Sequence, residues 1–446
     1  MAAAEFLLDR FAAADDKTAF FEAEGGSTSY ATLLTRIAAL EQRLRDEAVP
    51  RGASVQLCGD FGTEAAAWLL TLWRHGAIVA PVAPSSREKL EEFARVADAG
   101  WRVEAATGQL QRLAGGSAHG LFDRLRADEA PGLVIFSSGT TGASKAALHD
   151  VRRLLTKFHR PGKDFVTLGF LLFDHIAGID TLLYSLANGS TLVCLPDRSV
   201  GSVLARMAEH RVEVLPTAPS FLNMLLLSRG GEGFALPDLK IITYGAEMMP
   251  QGLLERVADA FPGVQLIQKY GASELGALRS RSEGARSRWI RLEGDGAAWR
   301  VADGLLEIRT TTAMVGYLNA PSPFTEDGWY RTGDRVEVQG DQLRFLGRDS
   351  DMINVGGQKV FPAEVENALM QIPGVVEASV YGAPHPLLGA AVCARIRMAD
   401  PEARPAEIRS AIRTGLAGVV EPYKIPQKIE LATGPLATAR FKQHRG

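Results

Sequence analysis

Ser137-Ser138-Gly139-Thr140-Thr141-Gly142-Ala143-Ser144-Lys145 follows the apolar run Leu133-Val134-Ile135-Phe136. The run reads as a buried strand. The glycines after it let the backbone turn tightly and aim successive N–H groups into one concavity. Hydroxyls and the closing lysine add donors and positive charge, so the loop suits a polyphosphate. It is not a Walker A loop, because no Gly-Lys-Ser/Thr closes it. Taken alone, the stretch also reads as a polar surface loop.

Outward from this loop, composition narrows the class. The chain has 446 residues, enough for two or three domains. Hydrophobic residues make up 46% and charged residues 23%, ordinary for a soluble globular protein. A formal net charge of -3 gives no electrostatic case for nucleic acid or an anionic membrane as partner. Cys58, Cys194 and Cys393 are widely spaced and odd in number. This argues against a disulfide framework or zinc site and fits a reducing, cytoplasmic setting. The first ten residues carry Glu5 and Asp9 and lack the pattern of a signal peptide. No apolar run is long enough for a membrane span.

Helical periodicity over residues 64–75 places Ala65, Trp68, Leu69 and Leu72 on one apolar surface. Residues 202–210 and 251–261 also read as helices. Residues 76–81, 191–195, 240–244 and 264–268 read as short strands between them. This alternation predicts α/β layers with mainly parallel sheets. Residues 310–347 are rich in glycine, threonine and aromatics, which suggests turns and short antiparallel strands. Beyond them, 363–371 and 405–416 read as helices and 375–381 and 391–398 as strands. The expected organisation is a large N-terminal domain over 1–347, a joint at 348–351 and a small α+β domain over 352–446.

Further motifs lie downstream of the loop. They are Tyr270-Gly271-Ala272-Ser273-Glu274, Tyr330-Arg331-Thr332-Gly333-Asp334, Gly347-Arg348-Asp349-Ser350-Asp351 and a late lysine, Lys442. In this order they resemble the adenylate-forming superfamily, which includes acyl-CoA synthetases, peptide-synthetase adenylation domains and luciferases. The resemblance runs from about residue 133 to the C-terminus, and the motifs together are far more specific than any one of them.

The resemblance implies activation of a carboxylic acid with ATP to an acyl-AMP, then transfer to a thiol. A carboxylate is a poor acyl donor, so such an enzyme must hold the polyphosphate, orient the acid and stabilise charge at phosphorus. By resemblance, Ser137, Ser138, Gly139, Thr140, Thr141, Gly142 and Lys145 wrap the β- and γ-phosphates. Glu274 matches the Mg²⁺ ligand, and a hard cation prefers such an oxygen donor. Ser273 would contact phosphate, and Tyr270 would pack on adenine beside Gly271. The turn Gly245-Ala246-Glu247 resembles the segment beside adenine. Asp334 would accept hydrogen bonds from both ribose hydroxyls, and Arg348 would also contact the ribose. Each has a plainer reading: a core tyrosine, a turn-forming aspartate and a surface arginine.

Lys442 matches the lysine of a C-terminal Thr-x-x-Gly-Lys-x-x-Arg pattern that stabilises adenylation, although Phe441 replaces the glycine. Phe does not readily copy a positive φ. Ser350 stands at the hinge position, where the family commonly has Asp or Lys. Rotation about it would exchange Lys442 for the Gly356-Gly357 region, which would then line the entrance for the thiol. The domain is therefore expected to be mobile.

Phe173-Asp174-His175-Ile176-Ala177-Gly178 resembles the segment entering the acid pocket, with His175 as its gate and a catalytic candidate. Tyr244, Gly271 and Ala272 are the other expected neighbours. An inward Asp174 would favour an amino acid, and an outward one an uncharged acyl or aryl acid. Coenzyme A is the preferred acceptor. A separate acyl carrier protein presenting phosphopantetheine, or an amine, remains open, as does a non-catalytic acyl-AMP or ATP binder.

Overall fold

The computed structural model describes residues 4–115, 119–138, 144–228, 235–294, 296–400, 404–434 and 436. Three seven-stranded sheets precede residue 349, and a smaller five-stranded sheet follows it. The first sheet runs from the hairpin Thr18–Phe21 and Ser27–Ser29 through Thr191–Val193, Val166–Leu168, Val214–Thr217 and Ile241–Tyr244 to Gln265–Gln268. Beyond that hairpin all its pairings are parallel. Parallel strands need covered faces, and helices such as Ile176–Ala187 and Gln251–Ala260 connect them.

The second sheet holds the opening sequence. Its centre, Ser54–Cys58, Ile78–Val82, Trp101–Glu104 and Gly132–Ser138, is parallel. Gly132–Ser138 then pairs antiparallel with Ser144–Asp150, which pairs antiparallel with Gly316–Tyr317. The connection between the first two strands is too short for a parallel crossover, which takes a dozen residues or more. Leu133, Val134 and Ile135 are fully buried, as a strand covered on both faces requires. The helix Thr63–Arg74 lies against this sheet, and the Trp73 indole donates to the Gly132 carbonyl at 3.1 Å. A bulky residue thereby fixes the start of the strand that leads into the loop.

The third sheet holds the antiparallel strands expected within residues 310–347 and extends them back to residue 270. Tyr270–Ala272, Gly276–Ser282, Ile290–Glu293, Gln342–Arg348, Tyr330–Gln339, Leu305–Arg309 and Ala298–Ala302 pair antiparallel throughout. Turn glycines with positive φ, including Gly276, Gly304 and Gly340, allow these close returns.

No sheet crosses Asp349–Asp351, a single 3₁₀ turn. After it, Val375–His385 and Gly389–Met398 form a long hairpin covered by Pro362–Leu369 and Pro405–Leu416 around their own apolar core. This unit meets the larger one through specific polar contacts. Asn223 Nδ2 donates to the Val376 carbonyl at 2.6 Å, and Arg256 donates to Asn223 Oδ1 at 2.9 Å. The Gln251 backbone N–H donates to Asn367 Oδ1 at 3.1 Å. All three cysteines are buried and unpaired. Among the described residues no helix is long and apolar enough to cross a membrane.

Candidate active site

Lys145 is the second residue of the return strand of the loop hairpin, opposite Ser137. Its ammonium lies 5.5 Å from the centre of the Tyr317 ring, a cation–π contact. Tyr317 is held there because its strand pairs with Ala147, and Asn319 clamps the same return strand. Asn319 Oδ1 accepts from Ala146 N–H at 3.0 Å, and its amide donates to the Ser144 carbonyl at 2.8 Å. The Tyr317 hydroxyl donates to Glu274 Oε1 at 2.5 Å. Burial first, then the Glu274 charge, raises the Tyr317 phenol, so it remains a donor. Tyr330 is also buried against Glu274 and Tyr317.

Glu274 and Ser273 are buried between the second and third sheets. His149, at the end of the loop's return strand, donates from Nε2 to the Ser273 carbonyl at 2.6 Å. Its burial lowers its tendency to protonate. The strand after the phosphate loop is thus tied to the Tyr-Gly-Ala-Ser-Glu turn. Among the described residues no group of three metal-ligating side chains surrounds Glu274. A lone carboxylate fits Mg²⁺ at a nucleotide, where phosphate oxygens and water complete the shell.

A second cluster adjoins this one. The Tyr270 hydroxyl donates to Asp334 Oδ2 at 2.7 Å, and Arg348 Nε lies 3.4 Å from Asp334 Oδ1. Asp334 and Arg348 are direct partners in an antiparallel pair, which brings the two motifs together. Asp334 N–H donates to Thr332 Oγ1, fixing the turn. The Tyr270 ring stacks on Phe345 at 4.5 Å. Burial raises both the Asp334 carboxyl and the Tyr270 phenol above their usual ranges, and Arg348 opposes the shift at Asp334. Glu274, Tyr330, Tyr270 and Asp334 all act electrostatically on Arg348, so the two clusters adjoin.

Tyr244 is buried at the end of its strand, and Ala246 beyond it has φ +66°. A non-glycine residue in that region is uncommon and costs backbone energy. A Cβ on Gly245 would stand 2.7 Å from the Lys269 carbonyl, and one on Gly271 2.6 Å from the Gly276 carbonyl. Neither position tolerates a side chain without movement. Glu247 reaches toward a neighbouring helix start. Its carboxylate accepts from Ser220 N–H at 3.0 Å and from the Ser220 hydroxyl, at the start of helix Pro219–Ser228. A carboxylate there is favoured by unpaired amides and the helix dipole.

Asp174 is buried and accepts from the Ser86 hydroxyl, tying its segment to the turn after Ile78–Val82. His175 is the N-cap of helix Ile176–Ala187, with Nδ1 accepting from Ala177 N–H at 3.2 Å. A Cβ on Gly178 would lie 1.9 Å from the Leu172 carbonyl, so only glycine permits this approach. Ser350 donates to Asp351 in the exposed 3₁₀ turn, and Gly356 and Gly357 form an exposed turn with φ +57° and +90°. Gly139, Thr140, Thr141, Gly142 and Lys442 lie outside the described residues, as does the side chain of Ser138. Tyr317, Asn319, His149 and Phe345 complete the site without having been singled out in the sequence. The signal for the first two was Gly316-Tyr317-Leu318-Asn319, an aromatic strand end with an amide two residues on.

The AMP-binding enzyme model matches residues 8–289, and the AMP-binding enzyme C-terminal domain matches residues 364–442. The chain belongs to the AMP-binding enzyme family, within the adenylate-forming superfamily. A 3-hydroxybenzoate–CoA/4-hydroxybenzoate–CoA ligase of Thauera aromatica is 29% identical over 342 residues, 69% of this chain and 65% of that protein. A feruloyl-CoA synthase of an Amycolatopsis species is 27% identical over 450 residues, 91% of this chain and 90% of that one. The anthranilate CoA ligase AuaEII, solved with anthranoyl-AMP, superimposes with a TM-score of 0.82 at 22% identity. That superposition covers 99% of this chain and 95% of the other.

Proposed function

We propose that this chain joins a carboxylic acid to ATP, forming acyl-AMP and pyrophosphate, and then passes the acyl group to the thiol of coenzyme A. The observation that carries the reading is the pair of adjoining contact clusters, Lys145–Tyr317–Glu274 and Tyr270–Asp334–Arg348. Cation, carboxylate, aromatic ring and ribose-type acceptor are the groups that a nucleotide triphosphate requires. The named relatives are CoA ligases of aromatic acids, and AuaEII was solved with an acyl-adenylate.

In the first step the acid's carboxylate oxygen attacks the α-phosphorus, and the bond to the departing pyrophosphate breaks. Lys145 and the loop residues neutralise the polyphosphate, while Asp334 and Arg348 hold the ribose. Mg²⁺ bound at Glu274 would supply further charge neutralisation there. Lys442 would meet charge at the reacting phosphate. In the second step the thiol sulfur attacks the acyl carbon, AMP leaves and the thiol proton passes to solvent. Ser350 and the Gly356-Gly357 turn belong to this stage, on the C-terminal domain. A carrier protein's phosphopantetheine presents the same thiol and is the second reading. The buried Asp174 keeps an amino acid open as a substrate.

Acid-dependent exchange of labelled pyrophosphate into ATP, followed by thioester formation with free CoA, tests the reading. Exchange without thioester would favour a carrier protein, and nucleotide binding without exchange for any acid would leave only a binder. Lys442→Ala is expected to slow exchange strongly and to spare thiolation of preformed acyl-AMP. Normal exchange in that variant would remove Lys442 from the site.

A further inference from the structure

Lys145, Ala147 and His149 are alternate residues of the return strand Ser144–Asp150, so their side chains stand on one face of it. Lys145 lies over the Tyr317 ring, Ala147 packs with Tyr317 and Met314, and His149 reaches the Ser273 carbonyl. His149 is fully buried. The strand therefore carries a phosphate-loop cation near one end and, four residues on, a side chain bonded to the turn that holds Glu274.

The turn closes with the Leu275 N–H donating to the Ala272 carbonyl at 3.0 Å. Its next three carbonyls each meet a different donor. Ser273 O accepts from His149 Nε2 at 2.6 Å, Glu274 O from the Met314 N–H at 2.7 Å and Leu275 O from the Thr312 hydroxyl at 2.6 Å. Ser273, Glu274, Leu275 and Thr312 are all buried, so a lost donor leaves a carbonyl unsatisfied. The Glu274 carboxylate is bonded from the same segment as Thr312 and Met314, by the Tyr317 hydroxyl. That segment in turn pairs with the return strand, the Val315 N–H donating to Leu148 O at 2.7 Å and the Leu318 N–H to Ala146 O at 2.9 Å. Strand, segment and turn are thus joined pairwise, and His149 is a direct link from strand to turn.

We propose that His149 and Thr312 are positioning residues for Glu274: by holding the carbonyls on either side of it, they fix the backbone from which its carboxylate meets a divalent cation at the triphosphate. The inference rests on the adenylation reading, with Glu274 as the metal's ligand, and deepens it by giving a role to two residues outside the motifs. Mg²⁺ demands near-ideal geometry at about 2.0–2.1 Å, so a carboxylate displaced by a fraction of an ångström is a poorer ligand. Loss of a group that orients a metal ligand costs about 10–100-fold in metal affinity. The imidazole donates from Nε2, and a glutamine amide carries a donor the same number of bonds from the backbone. Leucine fills the space without donating.

The test measures equilibrium binding to the full chain by calorimetry with no acid present. ATP is titrated with saturating Mg²⁺ and again in a chelator, and AMP, which lacks the polyphosphate, is titrated alongside. The ratio of the two ATP affinities is the metal's gain. His149→Leu is expected to cut that gain by about tenfold and to leave AMP affinity within about twofold of wild type. His149→Gln is expected to recover most of the loss. Thr312→Val, which removes only the donor to the Leu275 carbonyl, should lower the gain several-fold, and with His149→Gln it keeps the test decisive if His149→Leu does not fold. An undiminished gain in His149→Leu or Thr312→Val overturns the inference. So does an equal loss for AMP and for metal-bound ATP, which marks a merely structural role, or a glutamine variant no better than the leucine one. Wild type that binds AMP but shows no metal gain for ATP removes Glu274 as the ligand and this inference with it. Wild type that binds no AMP removes the nucleotide reading itself.

Discussion

The Tyr317 hydroxyl donates to Glu274, the carboxylate proposed to meet a metal–phosphate group. Tyr317→Phe keeps the ring under Lys145 but leaves Glu274 Oε1 without its 2.5 Å donor. Loss of a hydrogen bond to a charged group amounts to about 1.5–3 kcal/mol. Acid-dependent exchange should therefore fall by roughly tenfold or more, with the Mg²⁺ dependence moved to higher concentration. An unchanged metal titration would show that Tyr317 does not position Glu274. Asp334 gives a pH test. Its folded pKa is raised by burial, so the folded protein binds more protons than the unfolded chain as that carboxyl titrates. Stability should then fall as pH rises from the unfolded pKa through the folded one. Asp334→Asn removes that slope, so its thermal midpoint relative to wild type should climb across this interval. Parallel curves would refute the shift. Glu274, Asp334 and Arg348 were legible because each sits in a compact motif. Tyr317 was not, since its meaning depends on pairing with a strand far back in the chain. Glu247 was legible as a turn residue, but its aim at Ser220 is set by a helix end that sequence spacing does not reveal.

At the scale of elements, the Gly178 contact controls how the chain enters helix Ile176–Ala187. Gly178→Ala would drive a methyl group into the Leu172 carbonyl, and the backbone must move. Overpacking of this kind costs about 1–3 kcal/mol. We expect a lower thermal midpoint and a KM for the acid raised several-fold more than that for ATP. Equal changes in both would place the segment away from the acid. Helices were read from sequence within a few residues of their bounds, because apolar periodicity and Pro405 mark them locally. Strand direction was less legible. A buried run such as 133–136 looks the same whether its neighbour is parallel or antiparallel, and only loop length decides between them.

For the molecule as a whole, the docking of the C-terminal domain rests on a few polar contacts. Asn223→Leu would leave the Val376 carbonyl without its donor and Arg256 without its acceptor. Unpaired buried groups cost about 1–3 kcal/mol each. The docked arrangement should loosen, read as faster proteolysis at residues 349–351 and a larger radius of gyration in solution scattering. Wild-type values for both would mean that other contacts hold the domain. The three cysteines bear on how such motion is followed. Burial pushes the Cys58 thiol up to about 12 and raises Cys194 and Cys393 as well, so none offers thiolate at neutral pH. Leu387, by contrast, is 88% exposed on the C-terminal domain. Leu387→Cys therefore accepts a maleimide dye at one position with every native thiol left in place, and the dye's anisotropy reports how freely the small domain swings during turnover.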